Sequence, residues 1–204
     1  MSAPPAVARR VVPLRRRAIG HGSRGTEPGN LEPSQGFPWV ARTDARVLVL
    51  GSMPGRASLA ASEYYAHPRN LFWEIMDVLF GAGRELDYAV RLDRLTGARV
   101  ALWDVAHRCR RPGSLDAAIV RDSVEPNDFA ALFRACPQLH TVCFNGGTAR
   151  ELYRRRVLPH PPAADRPLAY HLLPSTSPAH AALDFSAKLA RWRVLAEAAA
   201  TARR

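Results

Sequence analysis

The chain has 204 residues, 47% hydrophobic and 23% charged, which excludes a wholly disordered, fibrous or membrane-embedded protein and suits one compact domain. Its 29 Lys+Arg against 18 Asp+Glu give a net charge of +11; 28 of the 29 are arginine, and Lys188 is the single lysine. That surplus points to an anionic partner, nucleic acid before an acidic membrane surface, although the bias of a GC-rich genome produces the same replacement of lysine by arginine.

No run approaches the roughly 20 apolar residues that span a bilayer. Cys109, Cys136 and Cys143 form no C-x-x-C pair, which argues against a disulfide framework, a zinc site and an iron–sulfur cluster. The expected setting is reducing and cytoplasmic.

Residues 1–36 read as a basic tail. They carry six arginines (Arg9, Arg10, Arg15, Arg16, Arg17, Arg24) and no acidic residue before Glu27. No apolar stretch of secretory length follows the arginines, and Pro4, Pro5 and Pro13 would interrupt a transit-peptide helix. The composition predicts disorder, with a single folded domain over residues 37–204.

From Trp39 onward, apolar runs alternate with helical stretches. Arg46–Gly51, Val100–Val105, His140–Asn145 and Leu168–Leu173 read as buried strands, and Asn70–Phe80, Pro126–Ala135, Thr148–Arg156 and Ala181–Ala200 as helices. Such alternation predicts a mostly parallel sheet covered on both faces, with any ligand beyond the carboxyl ends of the strands. That rule selects Gly51–Gly55, Trp103–Arg111, Asn145–Thr148 and Pro174–His180.

Gly51-Ser52-Met53-Pro54-Gly55 follows the first strand as a tight turn that exposes backbone amides to a ligand, or simply joins strand to loop. It has neither dinucleotide-binding nor Walker spacing. The next ten-residue cluster, Tyr64 to Trp73, holds four aromatics with His67, Arg69 and Asn70. Asn70 is placed to cap the following helix, while the paired tyrosines beside a Gly/Pro turn suit a pocket that stacks a flat ring.

Further motifs follow in order: Trp103-Asp104-Val105, Gly113-Ser114-Leu115-Asp116, Asn127-Asp128-Phe129, Phe144-Asn145-Gly146, and Leu173 to Ala179 with Ser175-Thr176-Ser177 at its centre. With the glycine–proline turn and Asn70-Leu71-Phe72-Trp73, this series over about residues 37–197 resembles the uracil-DNA glycosylase superfamily. It is most similar to the hypoxanthine (deoxyinosine)-DNA glycosylase branch, the sixth family.

The resemblance implies an α/β protein, a three-layer α/β/α sandwich around a short four-stranded parallel sheet. It implies a monofunctional enzyme that needs no cofactor or metal, and a monomer is expected. Its partner would be double- or single-stranded DNA containing deaminated bases, hypoxanthine first and uracil second. The base would be flipped into a pocket and its N-glycosidic bond hydrolysed to leave an abasic site. A uracil- or mismatch-directed glycosylase, or a non-catalytic DNA- or nucleotide-binding domain on the same fold, stays open as an alternative.

Residue roles follow from the same resemblance. Met53 occupies the position where mismatch-specific relatives carry a catalytic Asn, so the catalytic amide is expected at Asn70. There it would position water, its carbonyl facing the electron-poor sugar. Asp104 is a second catalytic candidate, as a carboxylate stabilising positive charge on the sugar, or it pairs with Arg108 or Arg110. Tyr65 would stack on the flipped base, with Tyr64 shaping the rim. Asn145, Gly51 and Ser52 would bind the base, although Asn145 can equally cap the helix that follows. Ser175, Thr176 and Ser177 would hold the DNA backbone. Arg108, Arg110, Arg111 and Arg154–Arg156 either flank the DNA track or form solvated faces.

Overall fold

Four short apolar runs form one parallel sheet in the computed structural model, which describes residues 32–160 and 167–201. In chain order the strands are β1 (Ser34–Gln35), β2 (Val47–Gly51), β3 (Val100–Asp104), β4 (Ala106–Cys109), β5 (Glu125–Pro126), β6 (Thr141–Asn145) and β7 (Ala169–Leu173). The helices are α1 (Arg56–Ala61), α2 (Phe72–Phe80), α3 (Tyr88–Gly97), α4 (Phe129–Ala135), α5 (Gly147–Arg156), α6 (Phe185–Trp192) and α7 (Val194–Ala200).

The main sheet runs β3-β2-β6-β7, all parallel. Side chains alternate across it, as the two-residue period of a strand requires. Leu48, Leu50, Trp103, Val142 and Phe144 enter a core with Phe129, Leu132, Phe133 and Tyr153 of α4 and α5. Val47, Val49, Val100, Leu102 and Cys143 enter the opposite core with Phe72, Trp73, Leu95, Trp192 and Leu195 from α2, α3, α6 and α7. Helices therefore cover both faces, giving the expected three-layer α/β/α sandwich. Continuous apolar runs, rather than alternating ones, mark these strands because both of their faces are buried.

Local differences from the expected elements have local causes. Asn70 lies two residues before α2 rather than inside it: its Oδ1 accepts from the Phe72 amide at 3.0 Å, and Leu71 is the N-cap. Asp128 caps α4 by accepting from Ala131 N at 2.9 Å, which delays that helix from Pro126 to Phe129. The stretch expected as one helix over Ala181–Ala200 is two, beginning only after Asp184 accepts from Ala187 N and dividing at Arg193.

A small antiparallel sheet, β1-β4-β5, was not indicated by the sequence; its strands are too short to show a pattern. The tail expected over residues 1–36 lies, up to residue 31, outside the described residues, and Ser34–Gln35 pair with Arg108 and Cys109. Among the described residues no helix is long and apolar enough to cross a membrane.

Candidate active site

The chain leaves β2 to build β3 on one side and later β6 on the other, so the strand order reverses between β2 and β6. A crevice opens at the carboxyl ends of strands at such a switch point. Here it is a cavity of about 730 Å³. All of the residues singled out for the site line it: Gly51, Ser52, Tyr65, Asn70, Asp104, Asn145, Ser175, Thr176 and Ser177.

Asn70 is half-buried, held in its turn from three sides. Its backbone N–H donates to His67 O at 2.9 Å, its carbonyl accepts from Arg84 Nη2 at 2.6 Å, and its Oδ1 accepts from Phe72 N. The bond to Phe72 sets the orientation of the amide: one lone pair of Oδ1 is committed. The second lone pair and the Nδ2 hydrogens have no partner among the described residues. Arg84 was not apparent from the sequence. It also donates to His67 O at 3.0 Å and, through Nε, to Glu74 Oε1 at 3.1 Å, clamping the turn to the first turn of α2.

Tyr65 adopts φ +56°, a left-handed conformation that a bulky residue rarely takes. Its neighbours impose it: Ala66 N donates to Ser58 Oγ, Tyr64 N donates to the Tyr88 hydroxyl oxygen, and Trp73 Nε1 donates to Tyr64 O. One face of the Tyr65 ring stacks on Phe72, centroids 3.9 Å apart. Backbone strain held this firmly clusters at functional sites. Tyr64, expected at the rim, is instead a core residue 3% exposed, edge-on to Phe37.

Asp104 ends β3 directly beside Gly51 and is 3% exposed. Neither Arg108 nor Arg110 reaches it; Asn127 Nδ2 donates to its backbone carbonyl at 2.8 Å. Burial pushes its carboxyl up to about 8, the nearby Asp116 charge adds to the rise, and Arg111 opposes it. Burial therefore favours the neutral acid over the free carboxylate that was expected to face the sugar cation. Burial also raises Asp116, against a hydrogen bond from Ser52 and the charges of Arg111 and Arg121. Burial raises the Tyr65 hydroxyl far above its usual range, with Asp104 adding and the Asn145 amide opposing.

Several side chains proposed for ligand contact are already committed. Ser52 Oγ donates to Asp116 Oδ1 at 2.7 Å, so the seryl hydroxyl positions that carboxylate. Asn145 and Thr176 pair reciprocally: Asn145 Nδ2 donates to Thr176 Oγ1 and Thr176 N donates to Asn145 Oδ1, both at 2.9 Å. Thr176 is 1% exposed and holds the loop to β6. Gly146, at φ +95°, makes the cap of α5 that Asn145 does not, and no side chain other than hydrogen fits there against Ser175.

The remaining loop is held at both ends. Trp192 Nε1 donates to Pro174 O at 3.0 Å, and Lys188 Nζ donates to His180 O at 2.7 Å. Between them Leu71 N donates to Thr176 O, tying this loop to the Asn70 turn. Ser175 and Ser177 remain half-buried at the rim, with Arg56, Arg69 and His180 exposed around them.

The basic residues expected along a DNA track divide. Arg111 is buried and donates to the carbonyls of Met53 and Pro54, fixing the glycine–proline turn. Arg154–Arg156 lie in the last turn of α5, whose first turn borders the cavity, roughly 10–14 Å away along the axis at 1.5 Å per residue. There Arg155 pairs with Glu151 and Arg156 with Asp122, a helix face remote from the site. Met53 packs in the core, 4% exposed. The cysteines are buried thiols, and no group of three or more His, Cys, Asp or Glu among the described residues could hold a metal ion.

The uracil DNA glycosylase superfamily profile matches residues 37–198. A protein of Methanosarcina acetivorans named hypoxanthine DNA glycosylase is 34% identical over 141 residues, covering 65% of this chain and 88% of that protein. One of the same name from Methanosarcina barkeri is 36% identical over 118 residues, covering 57% and 73%. The solution NMR structure of a candidate uracil DNA glycosylase from Methanosarcina acetivorans superposes with a TM-score of 0.65 at 28% identity, over 83% of this chain and all of that one. The match to the superfamily profile spans most of the chain, including every segment that builds the cavity, and the chain belongs to the uracil DNA glycosylase superfamily.

Proposed function

We propose that the protein is a DNA glycosylase of base-excision repair that removes hypoxanthine from DNA, with uracil as a second substrate, leaving an abasic site. One observation carries this reading. The amide of Asn70, the ring of Tyr65 and a buried carboxyl meet in a single cavity at the strand ends, sized for an extruded nucleotide. Names borne by the Methanosarcina relatives favour hypoxanthine.

The roles follow from the geometry. Tyr65, backed by Phe72, supplies the flat surface on which the flipped base stacks. The uncommitted atoms of the Asn70 amide hold water against C1′ of the deoxyribose as positive charge builds there; a neutral amide orients that water without taking its proton. Ser175, Ser177 and the exposed Arg56 and Arg69 suit phosphate oxygens on either side of the flipped nucleotide. The protein would act as a monomer on double- or single-stranded DNA. The arginines of residues 1–36 would add non-specific, salt-sensitive affinity.

Duplexes carrying inosine, uracil, xanthine or a mismatched thymine, scored for alkali-labile abasic sites, test the reading. Cleavage is expected fastest at inosine; no cleavage of any duplex overturns it.

Arg84 gives a second expectation. Arg84→Met removes the clamp on the Asn70 turn without touching the cavity wall. A misplacement of about 1 Å costs on the order of a hundredfold in rate. Single-turnover excision is expected to fall between about tenfold and a hundredfold, with Arg84→Lys intermediate because it keeps charge but loses the guanidinium fork. Duplex affinity, measured in parallel, should stay within about threefold.

A further inference from the structure

Two polar atoms in the cavity wall are buried and have no hydrogen-bond partner among the described residues: Asp104 Oδ2 and the Tyr65 hydroxyl. The Asp104 carboxyl, through its other oxygen, and the Tyr65 hydroxyl lie against Gly51. A Cβ placed there would stand 2.2 Å from Asp104 Oδ1 and 3.2 Å from Tyr65 Oη, so the missing side chain is what lets the carboxyl occupy the cavity wall. Buried polar groups in folded proteins are almost always paired, and an orphan at a binding site marks a partner that the ligand brings.

We infer that Asp104 is the general acid toward the departing base, and that the site is thereby built for a purine. The inference rests on the base-excision reading. As the C1′–N9 bond breaks, its electron pair passes to the purine, and the proton on Asp104 Oδ2 moves to a purine ring nitrogen, N3 or N7. Water adds to C1′, and the proton it loses returns to the Asp104 carboxylate. The balance is one nucleotide and one water in, one abasic sugar and one neutral purine out.

Three features support it. The protonated carboxyl has a donor with nowhere to go inside the fold, and purine ring nitrogens are acceptors. The ionised carboxyl would be a buried anion beside Asp116 with Arg111 alone opposing, so the environment holds the proton until a base accepts it. A purine linked through N9 offers the acid two basic ring nitrogens, N3 and N7, whereas uracil linked through N1 offers only carbonyl oxygens.

The other titratable groups around Asp104 are the hydroxyls of Tyr64, Tyr65 and Tyr88, the Cys109 thiol, Asp116 and Arg111. Burial raises all three tyrosines, Tyr88 to about 12, and raises Cys109 as well, so these four stay neutral while Asp104 titrates.

The sign is definite: the acid form is active, so excision holds steady below about pH 8 and falls about tenfold per pH unit above it.

The test is the pH profile of single-turnover hypoxanthine excision from pH 6 to 10, for the wild type and Asp104→Asn. The amide keeps the shape and a hydrogen-bond donor but has no proton to transfer, so it separates acid catalysis from simple base contact. The expected result is a loss of at least about a hundredfold at pH 7 and disappearance of the alkaline fall. Hypoxanthine N1–H also ionises in alkaline solution, and the variant controls for it: a fall of the same midpoint and slope in both proteins overturns the proposal.

So does an Asp104→Asn rate within about threefold of wild type at pH 7. Far-ultraviolet circular dichroism and the thermal midpoint at pH 8 establish that the variant is folded; if it is not, a wild-type profile that stays flat to pH 10, or one that falls near pH 8 equally for inosine, 7-deazainosine and 3-deazainosine, overturns the proposal, and a fall near pH 8 for inosine that is lost with whichever of the two analogues lacks the accepting nitrogen upholds it. Wild-type excision of hypoxanthine with no such pH dependence leaves base excision standing and removes the acid role alone; no excision at any pH removes both.

Discussion

Asn70→Ala is expected to lower single-turnover excision of hypoxanthine by a hundredfold or more while changing duplex affinity by less than about threefold. The affinity should survive because DNA is held mainly through phosphates, and the substitution leaves the exposed Arg56 and Arg69 in place. The rate should not, because removing one preorganised group that acts on developing charge typically costs on the order of 3 kcal/mol. Folding is a separate matter: Asn70 Oδ1 also accepts from Phe72 N, so the alanine variant loses one bond at the start of α2. Such a loss is worth about 1 kcal/mol, and at this chain length it lowers the melting temperature by roughly 2–4 °C.

Asn70→Asp separates the two effects. It keeps an acceptor for Phe72 N and removes the Nδ2 donor, so normal melting with lost excision would place the chemistry on the amide itself. Near wild-type excision by Asn70→Ala would remove Asn70 from the mechanism.

The second large effect is expected from Gly51→Ala. Nothing in the backbone forbids alanine here, since Gly51 has no positive φ; the obstacle is space. The added methyl would sit 2.2 Å from Asp104 Oδ1, and Asp104 is fixed on β3 by ladder pairing to Gly51 and by Asn127. Overpacking a buried site costs about 1–3 kcal/mol. Relief comes only by turning the Asp104 carboxyl or moving the Tyr65 ring, and both line the cavity. Excision is expected to fall at least a hundredfold at temperatures where circular dichroism shows the variant folded. Wild-type excision by a folded Gly51→Ala protein would show that this wall of the cavity does not meet the base.

The parts legible in the sequence are those whose signal is local. Val47–Leu50 and Val142–Phe144 announce buried strands because both faces of the sheet are covered and no polar alternation is needed. The ends of those strands are punctuated by Gly51, Asp104, Asn145 and Pro174, which placed the candidate site at the right edge of the sheet. Helices α1 and α3 and the small sheet escaped notice. They are short amphipathic helices and strands of two to four residues that gain stability from tertiary packing rather than from an intrinsic pattern.

By itself, then, the sequence determined the α/β class, the succession of strands along the chain and the set of residues that meet at their ends. Tertiary structure alone decided what each of those residues is free to do. Asn145 is tied to Thr176, 31 positions away, Ser52 to Asp116, 64 away, and Arg111 to Met53 and Pro54, 58 and 57 away. No local pattern encodes such pairings, because a hydrogen bond depends on atoms meeting in space. Burial follows the same logic: whether Asp104 is a carboxylate or an acid depends on the layers that enclose it and on the Asp116 charge brought alongside. The arginine surplus resolves in the same way, since folding buries Arg111 beneath the turn and sends Arg154–Arg156 to the far end of α5, leaving Arg56 and Arg69 beside the cavity.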